Sequence, residues 1–438
     1  MLALQTCRKG RKPLMRFLYS ALFYCLVPLL LLRMVLRSRR APAYRRRLAE
    51  RFALFDAQAL SDHKPVIWVH AVSVGETIAA APVIESLLQL YPEYRVVVTT
   101  TTPTGSERVG ALFGDRVFHV YAPWDLPGAT RRFLRTLKPQ LLLLMETELW
   151  PNMIHYTARC GCQIVLANAR MSARSARGYA RVGALTRPML VKLSAVACQS
   201  QDDADRLLAL GLPADRLQVT GSIKFDLALD DSLRTRAAQL RAAFGERPVM
   251  VVASTHPGED EQALTALTAV RGQHGNALLV LVPRHPERFD AVYTLCEGAG
   301  FKVTRRSSGS DPGPDTDIYL GDTMGELLLL LGTADVAVVG GSLVEHGGHN
   351  VLEPAAWGVP VVTGPHMFNF AEISAKLVAA GAMVQLTRPT GLADCLADLL
   401  AQPAERERMG QAGLQVLAAN RGAREELLAI VAKLLPQG

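Results

Sequence analysis

The sequence predicts an α/β protein of two parallel-sheet domains behind an N-terminal membrane-anchor helix. Three observations predict this. Short, nearly continuous apolar runs alternate with helical stretches, the pattern restarts once near mid-chain, and one uncharged 16-residue run, Phe17–Leu32, stands between arginines. Strands covered by helices on both faces of a sheet read as such unbroken apolar runs.

The anchor comes first, over residues 1–44. Phe17–Leu32 is extended by Met34, Val35 and Leu36 if Arg33 snorkels, approaching the roughly 20 apolar residues a spanning helix needs. Arg8, Lys9, Arg11, Lys12 and Arg16 precede the run; Arg33, Arg37, Arg39, Arg40, Arg45, Arg46, Arg47 and Arg51 follow it. A cleaved signal peptide would end in small residues, and a soluble core helix would not be bracketed by cations. The flanks fit a membrane anchor, spanning or lying in the interface. Their larger cation excess on the C-terminal side holds the following domains in the cytoplasm.

The charge follows the same division. Residues 1–60 hold 13 Lys and Arg against Glu50 and Asp56, a balance of +11 in a chain whose total is +8, so the remainder carries −3. A general nucleic-acid-binding role is thereby disfavoured. The 7 cysteines are scattered and odd in number, and Cys160-Gly-Cys162 lacks the spacing of a zinc or redox pair. Reduced structural thiols fit a cytosolic body.

The first domain is assigned to residues 45–228, with strands at Val66–His70, Arg95–Thr100, Val117–Tyr121, Gln140–Met145, Gln163–Ala167, Ala195–Cys198 and Gln218–Thr220. Thr77–Leu90, Gly128–Leu137 and Asp202–Leu210 carry helical spacing between them. The second domain, 229–438, restarts after a helix at Asp231–Phe244. Its strands are Val249–Ala253, Ala277–Val282, Phe301–Val303, Ile318–Leu320, Val336–Val339, Val359–Thr363 and Met383–Gln385. Ligands of such sheets bind at the carboxyl ends of the strands, so a site facing both halves is expected.

Several motifs fall at those ends. In His70-Ala-Val-Ser-Val-Gly-Glu76 a strand opens into a helix; Ser73 and Gly75 are small enough for a ligand to approach the backbone. Glu76 reads equally as a dipole-stabilised surface carboxylate or as a general base. In Met145-Glu-Thr-Glu-Leu-Trp-Pro-Asn152, Glu146 and Glu148 follow an apolar strand directly, where carboxylates are costly unless used or paired. Period-two alternation puts both on one side if the strand continues. The window Leu149–Gln201 has no acid but contains Arg159, Arg170, Arg174, Arg177, Arg181, Arg187 and Lys192. It is either a solvated basic face or an arginine rim for a phosphorylated substrate. Lys224, beside Asp226 in Ser222-Ile-Lys-Phe-Asp226, is either an ion-pair member or a cation lining the site.

In the second half, Pro283 and Arg284 follow a strand, as does Ser254-Thr-His256, and Met324, Gly325 and Glu326 precede a helix. Gly340-Gly-Ser-Leu-Val-Glu-His-Gly-Gly-His-Asn-Val-Leu-Glu353 is a glycine-rich loop between strand and helix, an arrangement that offers backbone N–H groups to a phosphate. Glu353 is placed to accept both hydroxyls of a ribose. His346 and His349 lack a third metal ligand at a known spacing, and neither a Walker nor a GxGxxG pattern occurs.

HAVSVGE, METELWPN, SIKFD, VPRHPERF, GDTMGEL and GGSLVEHGGHNVLEPA, in this order, resemble the 3-deoxy-D-manno-oct-2-ulosonic acid (Kdo) transferases of Gram-negative bacteria. The resemblance implies a GT-B glycosyltransferase whose N-terminal half binds acceptor and whose C-terminal half binds nucleotide sugar. It implies inverting transfer of Kdo from CMP-Kdo to a lipid A precursor (lipid IVA) in lipopolysaccharide core biosynthesis, at the cytoplasmic face of the inner membrane. It makes Glu76 the base and Glu146 and Lys224 transition-state stabilisers. Pro283, Arg284, Met324, Gly325, Glu326, Asn350, Val351, Leu352 and Glu353 become the CMP-Kdo site. Val351 departs from the family pattern, which commonly has proline there.

Ser73, Gly75, Glu148, Arg170, Arg174 and Arg177 are expected on the acceptor side. No cofactor or metal is expected, since CMP is a monophosphate leaving group and no Asp-x-Asp is present. The alternatives are a GT-B enzyme using a UDP-sugar and a non-catalytic, membrane-tethered nucleotide-sugar binder.

Overall fold

In a computed structural model, residues 11–39, 42–60, 62, 64–227 and 229–435 are described. Arg8, Lys9 and Arg40 of the anchor's flanks, and Cys7, lie outside them. The chain divides into two units, one of Met1–Ile223 with Arg421–Gly438, the other of Lys224–Asn420.

The first unit is built on seven strands: β1 (Val66–His70), β2 (Arg95–Thr100), β3 (Phe118–Tyr121), β4 (Pro139–Met145), β5 (Gln163–Ala169), β6 (Ala195–Cys198) and β7 (Leu217–Val219). They form one parallel sheet in the order β3-β2-β1-β4-β5-β6-β7. Alternation along the strands divides the core. Trp68, Leu142 and Leu144 pack on one face, with Phe133, Ile154, Leu190 and Leu207 of the helices Pro127–Leu137, Pro151–Arg159, Gly183–Leu190 and Gln201–Ala209. Ile67, Val69, Leu141 and Leu143 pack on the other, under the helices Val74–Leu90 and Pro103–Phe113. Ser73, Thr102, Ser172 and Ser200 begin helices, each side chain accepting the N–H three residues on.

The second unit has its own parallel sheet, of β8 (Val249–Thr255), β9 (Leu278–Pro283), β10 (Val303–Arg305), β11 (Ile318–Leu320), β12 (Val336–Val339), β13 (Val361–Thr363) and β14 (Met383–Gln385). Its order is β10-β11-β9-β8-β12-β13-β14, with cores on both faces. β13 begins two residues later than the apolar run Val359–Thr363 suggests, because Pro360 has no N–H to give a neighbour. β10 likewise starts at Val303 and not Phe301.

One domain assignment is corrected. The C-terminal helix Ala423–Leu434 belongs to the first unit, where Ala423, Leu427 and Val431 join the cluster of Ile84 and Val165 and Gln218 donates to Glu426 at 2.8 Å. Its apolar spacing declares a buried face without declaring which sheet that face covers. The unit boundary also falls before Lys224, not after residue 228.

Strand order reverses between β1 and β4 in the first sheet and between β8 and β12 in the second. Crevices at the carboxyl ends of such strands are where doubly wound folds bind ligands. The loops after β1, β4, β8 and β12 hold four of the motifs picked out from sequence.

Candidate active site

Glu76 sits in the first turn of Val74–Leu90, directly beyond β1. Its Oε2 accepts the Val72 N–H at 2.7 Å and its Oε1 accepts the Ser73 hydroxyl at 3.0 Å. Only 8% of the residue is exposed, so it is not the surface carboxylate of the bland reading. Burial pushes its pKa up to about 7, opposed by the Val72 N–H and assisted by the charges of Glu148 and Glu146. A carboxyl poised near neutrality is matched to taking a proton and giving it up again. Gly75 leaves room beside it, a Cβ there meeting nothing nearer than Ser73 Oγ at 3.8 Å.

β4 ends at Met145, so the strand does not continue and alternation does not align Glu146 with Glu148. Glu146 instead takes a left-handed backbone, φ 54°, costly for a non-glycine residue and typical of functional turns. Glu148 accepts the Trp150 indole N–H at 2.7 Å, and burial raises its pKa. Three carboxylates thus feel one another at the switch between β1 and β4.

Arg170 follows β5, its carbonyl accepting the Thr147 hydroxyl from the Glu146–Glu148 turn. Arg174 and Arg177 are exposed on the helix Ala173–Arg181, whose Tyr179 has its pKa raised by burial and then by the charge of nearby Glu148. Arg170 and Tyr179 therefore lie against the Glu146–Glu148 turn. Lys224 opens the second unit in a 3₁₀ turn, Ile223–Phe225, its Nζ 5.9 Å from the Phe370 ring centre.

In the second unit, the Arg284 N–H donates to Thr255 at 3.0 Å, and the Arg284 charge acts on both His349 and Glu353. Glu353 accepts from Asn350 Nδ2 at 3.2 Å; burial raises its pKa, Asn350 and Arg284 opposing. Val351 and Leu352 are fully buried in the core, so their side chains are not ligand contacts. Glu326 is gripped by Arg306 at 2.9 and 3.0 Å and by the Thr323 hydroxyl at 2.6 Å, which holds its pKa down to about 2. Its carboxylate fastens the turn. The exposed Met324 and Gly325, at φ 86°, remain the presented residues.

The glycine-rich loop needs a correction. Glu259, fully buried in the first turn after β8, accepts the N–H groups of Gly341, Ser342 and Leu343 at 2.7, 3.1 and 2.9 Å, and that of His256 at 2.9 Å. Those loop donors are spent inside the protein and do not cradle a phosphate. Sequence reasoning missed Glu259. The available signal was its equivalence to Glu76, a glutamate in the first helical turn beyond a switch-point strand. Glu76 has two donors where Glu259 has four, so Glu259 is the more fully engaged carboxylate.

Beside the loop, His256 Nε2 lies 2.8 Å from His349 Nε2, and the His346 ring stacks on His256 at 4.1 Å. Burial, then the neighbouring cations and rings, push His256 down to about 4 and His349 to about 3, so both are neutral at pH 7. Among the described residues no group of three metal-ligating side chains is assembled.

Comparison with known proteins bears on this arrangement. Residues 46–227 match the family model described as 3-deoxy-D-manno-octulosonic-acid transferase (kdotransferase), and residues 261–416 match glycosyl transferases group 1. The 3-deoxy-D-manno-octulosonic acid transferase of Haemophilus influenzae is 45% identical over 94% of this chain and 97% of its own. That of Bordetella pertussis is 40% identical over 94% and 98%. Among solved structures, UDP-GlcNAc 2-epimerase from Neisseria meningitidis covers 84% of this chain and 100% of its own, with TM-score 0.56 at 15% identity, a likeness of fold. The C-terminal CMP-Kdo binding domain of WaaA from Acinetobacter baumannii is 37% identical, covering 43% of this chain and 99% of its own at TM-score 0.41. With two Rossmann-like sheets of GT-B type and relatives this similar from end to end, the chain belongs to the 3-deoxy-D-manno-octulosonic acid transferases, and it is a glycosyltransferase.

Proposed function

We propose that the enzyme moves Kdo from CMP-Kdo to a hydroxyl of a lipid A precursor, with inversion, using Glu76 as general base. The observation that carries this reading is Glu76 itself, buried beyond β1 with its pKa pushed up to about 7. A sugar hydroxyl is a poor nucleophile, and a placed base contributes about 10²–10⁴-fold. Glu76 takes the acceptor proton as the hydroxyl oxygen forms a bond to the anomeric carbon of Kdo. The bond from that carbon to the phosphate oxygen breaks, and CMP leaves with the electron pair.

Lys224 and Arg284 offset the charge growing on the phosphate, and Glu146 stabilises the sugar as positive charge develops on it. Pro283, Met324, Gly325 and Asn350 hold the donor, with Glu353 toward the ribose. Ser73, Gly75, Glu148, Arg170, Arg174 and Arg177 serve the acceptor, the arginines pairing with its phosphates. The reaction needs no metal. The site of action is the cytoplasmic face of the inner membrane, reached through the helix Arg11–Arg37, which is long and apolar enough to cross a membrane.

Incubation with CMP-Kdo and a tetraacylated lipid A precursor, in chelator, yields product masses raised by whole Kdo units. Transfer from a UDP-sugar and none from CMP-Kdo overturns the donor. Loss of transfer in chelator, restored by a divalent cation, overturns the metal-free step.

A further inference from the structure

The helix Arg11–Arg37 is not a free-standing rod. Arg16, Ser20, Phe23, Val27, Leu30 and Met34 are each at least partly covered, and their intervals of four and three residues trace one stripe along the helix. Near its start, Arg16 Nη1 donates to Asn152 Oδ1 at 3.1 Å and to the Tyr156 hydroxyl at 3.2 Å. Ser20 and Asn152 are hydrogen-bonded at 3.0 Å. Asn152 is fully buried, and its N–H is accepted by the buried carboxylate of Asp125 at 2.9 Å. The helix also packs on Gly183–Leu190. On the opposite side Leu18, Leu22, Leu29, Leu32 and Leu36 are exposed, from 48% to 61%.

We propose that this helix lies in the plane of one leaflet, with its inner stripe docked on the first unit and its outer stripe among the acyl chains, and that it does not cross the bilayer. At 1.5 Å per residue its 27 residues run about 40 Å. The helix is held to the body by Arg16 and Ser20 near its start and by its packing on Gly183–Leu190. If the helix spanned the bilayer, the body it is bonded to would have to enter the hydrocarbon. That would carry Asp125, Asn152 and the exposed Arg159 and Arg187 with it. A charge at the bilayer centre is costly. If the helix left the body to span alone, Asn152 and Asp125 would lose buried partners.

Charge argues for the same placement. Next to Gly183–Leu190 lies Ala173–Arg181, with Arg174, Arg177 and Arg181 exposed, flanked by exposed Val182 and Val191. Exposed arginines suit the anionic headgroups of a leaflet. The occupant of this face is a bilayer surface bearing anionic lipid.

The inference rests on the reading that this helix attaches the enzyme to a membrane, and the test separates the two. Full-length protein with an N-terminal epitope is examined in sealed, inside-out inner-membrane vesicles. External protease is expected to remove the epitope and digest the body together. An epitope protected while the body is digested overturns the in-plane arrangement and leaves membrane attachment standing. Recovery of the protein in the soluble fraction of lysed cells overturns both. The untagged chain with Leu18→Asp and Leu22→Asp, which alter only the outer stripe, is expected to shift about tenfold or more toward the soluble fraction with unchanged Tm. Full membrane retention of this variant overturns the proposal.

Discussion

The Ser73 hydroxyl donates to Glu76 Oε1 at 3.0 Å and accepts the Glu76 N–H at 3.3 Å, so one side chain both starts a helix and holds the carboxylate. Its hydrogen bond favours the charged carboxylate and opposes burial. Ser73→Ala is therefore expected to push the Glu76 pKa further up and move the acid limb of the kcat/KM profile to higher pH. Loss of the cap costs about 1 kcal/mol, read as a lower Tm. An acid limb unmoved, or moved to lower pH, contradicts this.

Glu76 also links stability to pH. Its folded pKa, raised from 4.5 to about 7, means the protonated form is the better-tolerated one in the fold. Its contribution is full below the unfolded value and is lost as pH rises through about 7. Glu76→Gln is expected to raise Tm at pH 8, by a free energy on the order of 3 kcal/mol, and to leave Tm unchanged near pH 4. Denaturation scans across that range measure it.

Glu259 is expected to behave in the opposite way. Glu259→Gln sets an amide NH₂ against backbone donors that now share two carboxylate oxygens. Each buried N–H left without an acceptor costs about 1–3 kcal/mol. Thermal denaturation at neutral pH should show that loss, together with weaker donor binding as the Gly340–Leu343 turn loosens.

Arg306 holds Glu326, and Glu326 holds the turn that presents Met324 and Gly325. Arg306→Ala is expected to raise the KM for the donor several-fold while changing kcat little, since the contact orders a binding turn and touches no reacting bond. With Arg306 present, the depressed Glu326 pKa contributes stability above about 4.5 that is lost as pH falls through about 2. In the variant, acid denaturation should lose that component.

Much of the fold was legible because the strands are short, apolar and buried on both faces. All fourteen appear, with shifts of two residues at the starts of β10 and β13 and at the ends of β5 and β8. For the candidate site, the strand-to-helix pattern located Glu76 and Arg284 in loops at the carboxyl ends of β1 and β9. What stayed hidden depends on contacts distant in sequence. The glycines of the Gly340–Leu343 turn suggested a phosphate cradle, but Glu259, about eighty residues earlier, occupies those donors. The grip of Arg306 on Glu326 likewise joins residues twenty apart that no spacing connects. Val351 and Leu352 share a motif with Asn350 yet point into the core. The Ala423–Leu434 helix had the right spacing, but only the three-dimensional path of the chain returns it to the first sheet.

The central claim, that Glu76 is the base, is tested most directly by Glu76→Gln assayed at saturating CMP-Kdo and lipid A precursor, with CMP-Kdo binding measured in parallel. Transfer is expected to fall about 10²-fold or more with donor affinity unchanged. Transfer at the unaltered rate, with donor binding intact, would contradict it.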